Sequence, residues 1–131
     1  MILDSNLILS DAQAVTANGN STNIIDTVKI GDAVNELYFV ACVEKAYTGT
    51  GTIEVKLVTA DDSDLTTNPV TLWSSGAIVG DNLVDKYCIG MIRLPKPEKV
   101  KRYIGAQFVV TDTVSGGALD VYLIDNPQTN I

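Results

Sequence analysis

The chain contains no histidine and only two cysteines among its 131 residues. Without histidine, the commonest general base near neutral pH and the commonest nitrogen ligand of zinc are both missing. Catalysis by Ser-His-Asp or Cys-His groups is therefore excluded. Two cysteines are too few for a disulfide scaffold, and they do not have CxxC spacing. We expect Cys42 and Cys88 to be small buried side chains with free thiols.

Long apolar runs and positive charge are also scarce. No apolar stretch approaches the about 18 residues that a membrane-spanning helix needs, and the N-terminus lacks the basic region and cleavage site of a signal peptide. The net charge is −7 and the isoelectric point about 4.3, so we expect no nucleic acid and no membrane as partner. The sequence predicts a protein made and kept in the cytoplasm of the producing cell.

Motifs for phosphate, metal or sugar binding are weak. The glycine pairs in "TGTGT" and "SGG" open no helix and lack a P-loop pattern, so we interpret them as turns. The acidic run "ADDSDLTTN" has neither the glycine nor the closing glutamate of an EF-hand, which favours a solvated loop over a calcium site. We expect no cofactor. Trp73 and Tyr103 are interpreted as core residues rather than a sugar-stacking platform.

Strands dominate what is present. Strict alternation in "TIEVKLVT" points Ile53, Val55 and Leu57 to one side, as in a strand with one wet face. The nearly continuous apolar run "NELYFVACVE" predicts a strand covered on both faces in the middle of a sheet. Shorter strands are predicted in "NPVTLWSS" and "DKYCIGMIRL", and a weak one over 23–30.

The C-terminal part predicts a hairpin. Its two strands are "YIGAQFVVTDT" and "GALDVYLID", and its turn is Ser115-Gly116-Gly117. The only helical candidate, "AIVGDNLVD", is two turns at most. About eight short antiparallel strands without a long helix predict one all-β domain over residues 1–131, a β-sandwich or jelly roll.

Two segments stand apart from this pattern. "LSDAQAVTANGNSTNIIDT" is polar and rich in small residues, and "RLPKPEKVKR" holds five of the nine Lys and Arg residues. We interpret residues 1–22 as an extended arm that lies along a sheet edge or a neighbouring subunit. On this interpretation, deletion up to about Asn23 leaves the core folded. The basic run is a solvated loop or a patch that docks on an acidic surface.

Three stretches of the sequence carry a family resemblance. They are "SDAQAVTANGNSTNIID", "GTGTIEVKLVTADDSD" and "LPKPEKVKRYIGAQFVVTDTVSGGALDVYLID". In order and spacing they resemble the capsid cement (decoration) proteins of tailed bacteriophages. The resemblance implies a non-catalytic jelly roll that is assembled in the host cytoplasm. It implies binding, as a homodimer or homotrimer, to the major capsid protein on the outer surface of the virion.

Candidate interaction residues come from the arm and the basic run. They are Leu7, Leu9, Asp11, Gln13, Val15, Lys96, Lys99, Lys101 and Arg102. Two other classes stay open. A carbohydrate-binding jelly roll needs exposed aromatic residues or a calcium site, and a carboxylate-dependent hydrolase needs two buried acids that face each other in a cleft.

Overall fold

The computed structural model describes residues 8–26, 38–93 and 101–124. In that part of the chain a single 3₁₀ turn, Gly80–Asn82, accompanies ten strands, and no α-helix occurs. The strands are β1 (Ile8–Gln13), β2 (Gly19–Asn20), β3 (Ile25–Asp26), β4 (Tyr38–Thr48), β5 (Thr52–Ala60), β6 (Val70–Ser74), β7 (Ile78–Val79), β8 (Cys88–Arg93), β9 (Tyr103–Thr111) and β10 (Ser115–Ile124).

The strands form two antiparallel sheets. Sheet A has the order β1-β10-β4-β8, and sheet B has the order β2-β9-β5-β6, with β3 also on β9 and β7 also on β5. Because β2 with β3, and β6 with β7, are pairs of short pieces on one neighbour, the ten strands occupy eight positions (10 − 2). By position, the sheets run first-eighth-third-sixth and second-seventh-fourth-fifth, which is the order of a jelly roll. The predicted all-β fold is confirmed.

The main core lies between the two sheets and follows the alternation in the sequence. Ile53, Val55 and Leu57 of β5 are buried, as predicted, while Glu54 and Lys56 between them are half-exposed. Alternate residues of β4, β9 and β10 complete this core. Its period of two is the reason that the sandwich prediction succeeds.

Strand β4 has apolar cover on both faces. Phe39, Ala41 and Val43 point into the main core, whereas Val40 joins a second apolar cluster with residues of β10. The strand pairs with β10 on one side and with β8 on the other. Its predicted position inside a sheet is therefore confirmed, and the second cluster explains why its sequence does not alternate.

The predicted C-terminal hairpin is wrong. Strand β9 pairs with β5 in sheet B, whereas β10 pairs with β4 and β1 in sheet A. The connection 112–114 crosses between the sheets, and Val114 is buried in the core. The supposed turn glycines begin β10, and a Cβ on Gly117 (φ 79°) would lie 2.5 Å from ring atoms of Tyr47. Glycine serves close packing there rather than a turn.

The remaining strand predictions hold in part. Strands β6 and β8 lie inside the two predicted short strands. The weak strand over 23–30 is reduced to β3, and residues 27–30 lie outside the described residues. The helical candidate divides into β7 and the 3₁₀ turn.

The cysteine prediction needs correction. Cys42 is half-buried and Cys88 is exposed, although both thiols are free, as expected. The two residues occupy opposite positions on β4 and β8, on the face of sheet A away from the main core.

Candidate interaction surfaces

The polar N-terminal segment, residues 8–26, belongs to both sheets. Its first strand, β1, pairs with β10 in sheet A, and β2 and β3 pair with β9 in sheet B. The backbone N–H of Asn23 donates back to the carbonyl of Leu9 (2.9 Å). The segment is extended, but the edge along which its described part lies is that of its own domain.

Two of the proposed interaction residues serve the core. Leu9 is fully buried and Val15 nearly so, and both pack in the main cluster between the sheets. The Val15 N–H donates to the hydroxyl of buried Tyr47 (3.2 Å). The arm prediction is corrected accordingly, because deletion up to Asn23 would remove buried apolar surface and a whole edge strand.

Gln13 has a role inside the segment. Its Oε1 accepts from the Ser10 hydroxyl (2.5 Å) and from the Thr22 N–H (3.0 Å), while its Nε2 donates to the Asn20 carbonyl (3.1 Å). These bonds connect β1 to Asn20 and Thr22, on the stretch that leads to sheet B. Asp11 is exposed, in contrast to the buried candidates Leu9 and Val15 and the half-buried Gln13.

The end of β1 and the turn that follows it expose mostly small uncharged side chains, and we call this stretch, residues 11–18, the N-terminal rim. Its exposed residues are Asp11, Ala12, Ala14, Thr16, Ala17 and Asn18. The Ala12 N–H donates to Asp120 Oδ1 (2.7 Å), and Asn18 Oδ1 accepts from the Val110 N–H (2.6 Å). The rim is thus fixed to both sheets and presents short side chains that lose little rotamer entropy on contact.

The basic run is engaged with its own domain where it is described. Arg102 forms an ion pair with Asp26 (3.1 Å) and lies over the Tyr103 ring, 5.1 Å from its centroid. The hydrogen bonds to Asp26 are the main reason that the pKa of Arg102 is raised. The Lys101 ammonium donates to the Asn68 carbonyl (2.6 Å). The candidates Leu7, Lys96 and Lys99 lie outside the described residues.

Thr59, which the sequence analysis did not single out, anchors this basic run. Its buried hydroxyl donates to the Tyr103 carbonyl (2.9 Å) and accepts from the Lys101 N–H (2.7 Å). A threonine at a core position of a strand is the signal that sequence reasoning could have used. Buried hydroxyls need a partner, and here the partner is the start of β9.

The acidic loop 61–68 satisfies its carboxylates internally. Asp62 accepts from the Thr66 hydroxyl (2.7 Å) and from the N–H groups of Thr66 (2.8 Å) and Thr67 (2.9 Å). These bonds lower the pKa of Asp62 to about 2, and the bond from the Thr66 hydroxyl contributes most. Asp61 accepts from the Asn68 amide (3.0 Å), so both carboxylates have partners within the loop. The loop is also fixed to the domain, because Leu65 is buried and the Asp64 carbonyl accepts from Asn20 Nδ2 (3.0 Å).

No buried acid lies in the described part of the chain. Glu44 and Asp120 approach each other on the open face of sheet A, where the hydrogen bond to Asp120 is the main reason that the pKa of Glu44 is raised. Glu44 is fully exposed there, so this pair faces solvent rather than a cleft. The arrangement lacks the enclosure that carboxylate catalysis uses.

The aromatic residues do not form a platform. Trp73 packs tilted against Phe39, with ring centroids 5.7 Å apart, and sits beside Gly90, where a Cβ would lie 2.4 Å from the indole. Tyr103 packs in a separate cluster with Leu65 and beneath Arg102. Both rings have structural neighbours on their faces.

The described residues contain neither a cluster of metal ligands nor a membrane-spanning helix. Across 8–26, 38–93 and 101–124, no three His, Cys, Asp or Glu side chains converge as a metal site. Nor does any helix there have the length and apolarity to cross a membrane.

The fold and these surfaces define a jelly-roll domain whose N-terminal rim of mostly small side chains is fixed to both sheets. Comparison of the sequence with protein families matches the Bbp16 family over residues 9–123. The chain belongs to this bacteriophage-associated family, and the match runs from β1 into β10. No curated protein matches the chain.

Proposed function

We propose that this protein is a capsid cement protein of a tailed phage, one that binds the outer shell and holds neighbouring capsomers together. The observation that carries the proposal is the family match, which spans both sheets of the jelly roll and therefore concerns the domain as a whole. Its partners are the major capsid protein and further copies of this chain. The protein acts by binding, without catalysis.

The N-terminal rim is the surface that suits shell binding best. The rim is held by the hydrogen bond from the Ala12 N–H to Asp120 of β10 and by that from the Val110 N–H of β9 to the Asn18 side chain, so its shape is set before a partner arrives. Preorganisation of this kind reduces the entropy lost on association. Short side chains allow a capsid surface to approach the rim closely, and Asp11 supplies its one charge.

The earlier candidates divide between two roles under this proposal. Asp11 contacts the partner, whereas the side chains of Leu9, Gln13 and Val15 hold the rim in place from behind. Lys101 and Arg102 fix the start of β9 and leave part of their charge at the surface. The basic run then adds electrostatic attraction to an acidic shell surface.

The test is co-sedimentation of the purified full chain with capsids that lack it. We expect the wild type to pellet with capsids, and Ala14→Glu and Ala17→Glu to bind more than tenfold more weakly, or about 1.4 kcal/mol. Ala77→Glu is the matched control, since Ala77 is also exposed but lies between β6 and β7, outside the rim. All three variants should melt like the wild type.

The outcomes separate the function from the surface. If the wild type stays in the supernatant at saturating concentration, the cement function is wrong. If the wild type pellets and the two rim variants bind as well as Ala77→Glu, the function stands and the rim is not the contact surface.

A further inference from the structure

The two cysteines of the chain are brought together by the fold. They are 46 positions apart (88 − 42), yet they occupy opposite positions on neighbouring antiparallel strands. On the same face of sheet A lie Asp120 and Tyr122, and both influence the Cys42 thiol. The thiols are therefore neighbours on a surface, although the sequence shows no cysteine motif.

A β-bulge sets their register. The Lys86 N–H donates to the Val43 carbonyl (2.9 Å), and the Val43 N–H donates to the Tyr87 carbonyl (2.8 Å). Lys86 has a left-handed backbone (φ 62°), as the first residue of such a bulge does. Two residues before β8 thus face one residue of β4, and next to this bulge Cys88 lies opposite Cys42. The register then shifts again between Cys42 and Ala41, which lies opposite Gly90.

The bulge also decides the type of pair. Since Val43 directs both of its polar backbone groups toward Lys86 and Tyr87, the adjacent Cys42 directs its own toward β10. Cys42 and Cys88 consequently occupy a non-hydrogen-bonded position, where the Cα atoms of regular antiparallel strands are about 4.5 Å apart. Disulfides accept Cα separations of about 4.4–6.8 Å, so a bond fits without movement of the strands.

The surroundings give the two thiols different roles. Cys88 is exposed, so it is the thiol that a dissolved oxidant reaches first. Burial, and next the neighbouring Cys88, raise the pKa of Cys42 to about 12. Cys42 is thereby kept as a protonated thiol beside Cys88.

We propose that Cys42 and Cys88 are a cross-strand dithiol that a small-molecule disulfide oxidant converts into an intramolecular disulfide between β4 and β8. The Cys88 thiolate attacks one sulfur of the oxidant, forms a mixed disulfide and releases one thiolate of the oxidant. That thiolate or solvent takes the Cys42 proton, and the Cys42 sulfur attacks the Cys88 sulfur and expels the second thiol. In sum, two protein thiols are oxidised and one disulfide of the oxidant is reduced to two thiols.

The experiment treats the reduced full chain with oxidised glutathione at mildly alkaline pH, and then blocks remaining thiols with iodoacetamide. We expect a monomer that carries no alkyl group and no glutathione, has lost the mass of two hydrogen atoms, and yields a linked Cys42–Cys88 peptide. The linked form should melt about 5–10 °C above the reduced form, because the bond constrains the unfolded chain. Cys42→Ser should stop at a stable glutathione adduct on Cys88.

Other products would overturn the proposal. One is wild type that keeps glutathione on Cys88 while Cys42 stays alkylatable or unmodified. Another is a disulfide-linked dimer through Cys88 of two chains, which would show that the exposed thiol acts alone. A linked monomer that melts below the reduced form would show that the bond distorts the sheet, contrary to the fit derived from the register. None of these outcomes bears on capsid binding, so the cement function is tested separately.

Discussion

The N-terminal segment, residues 8–26, and the acidic loop, residues 61–68, are both rich in polar residues but have different relations to the fold. The segment buries Leu9 and Val15 between the sheets and pairs with both of them. The loop bonds its Asp61 and Asp62 carboxylates internally, and its single buried residue, Leu65, packs in a separate small cluster. Polar sequence therefore does not distinguish a part of the core from a surface turn. What distinguishes them is whether apolar residues recur at positions that reach the space between the sheets.

The difference has an energetic consequence. Loss of a fully buried leucine removes apolar contacts and leaves a cavity, which costs several kcal/mol. Loss of one exposed carboxylate removes hydrogen bonds that water replaces. Substitution of Leu9 or Val15 should thus affect global stability far more than substitution of an acidic residue of the loop.

The largest effect is expected at Leu9. Leu9→Ala should lower the free energy of unfolding by about 3 kcal/mol, because the side chain is fully buried in the main cluster. Asp11→Ala, on the same strand but exposed, should change it by less than about 0.5 kcal/mol. Urea unfolding measures both. Equal stability of Leu9→Ala and wild type would show that β1 is a detachable arm after all.

An intermediate effect is expected at Ser21. Its buried hydroxyl accepts from the Ala106 N–H (3.1 Å) and donates to the Asn23 carbonyl (2.8 Å). Ser21→Ala leaves the Ala106 donor without this acceptor and should cost about 1–3 kcal/mol in urea unfolding. Thr22→Ala, at an exposed side chain next to it, is the control. A cost no larger than that of the control would mean that the segment does not rely on the Ser21 hydroxyl for its attachment to β9, where the Ser21 N–H also donates to the Ala106 carbonyl (2.7 Å).

The smallest effect is expected at Asp62, and it depends on pH. The folded protein holds the pKa of Asp62 at about 2, below the ordinary value of 3.8. The stabilisation is therefore present above about pH 4 and disappears as the pH falls through about 2. Melting curves of wild type and Asp62→Asn should differ slightly near neutrality and coincide in strong acid. A difference that persists unchanged in strong acid would mean that the bonds do not depend on the charge.

Alternation and composition were sufficient to predict the sandwich. The alternating residues of β5 indicate one buried face, and the continuous apolar run of β4 indicates burial on both faces. The partner of each strand was not predictable in the same way. The stretch after β9 looks like a hairpin turn, yet β10 crosses to the other sheet, since burial of Val114 and the contact of Gly117 with Tyr47 are tertiary facts. The cysteine pair was missed for a related reason, because its register depends on the bulge at Lys86 and on a further shift between Ala41 and Cys42.

The candidate surface was predictable only as a region. The small polar residues of the N-terminal segment marked it as unusual, and its exposed rim lies where the sequence drew attention. That Leu9 and Val15 point inward while Ala14 and Ala17 point outward follows from the crossing between sheets, which no local pattern encodes. Likewise, the ion pair of Arg102 with Asp26 joins residues that are distant in sequence.

The most direct test of the cement function is the copy number of this chain in purified virions of the phage that encodes it, measured by quantitative mass spectrometry. The account predicts a copy number comparable to that of the major capsid protein, with the chain removed when the shell is stripped of its outer proteins. Virions that contain only traces of the chain, while infected cells hold it in quantity, would contradict the account.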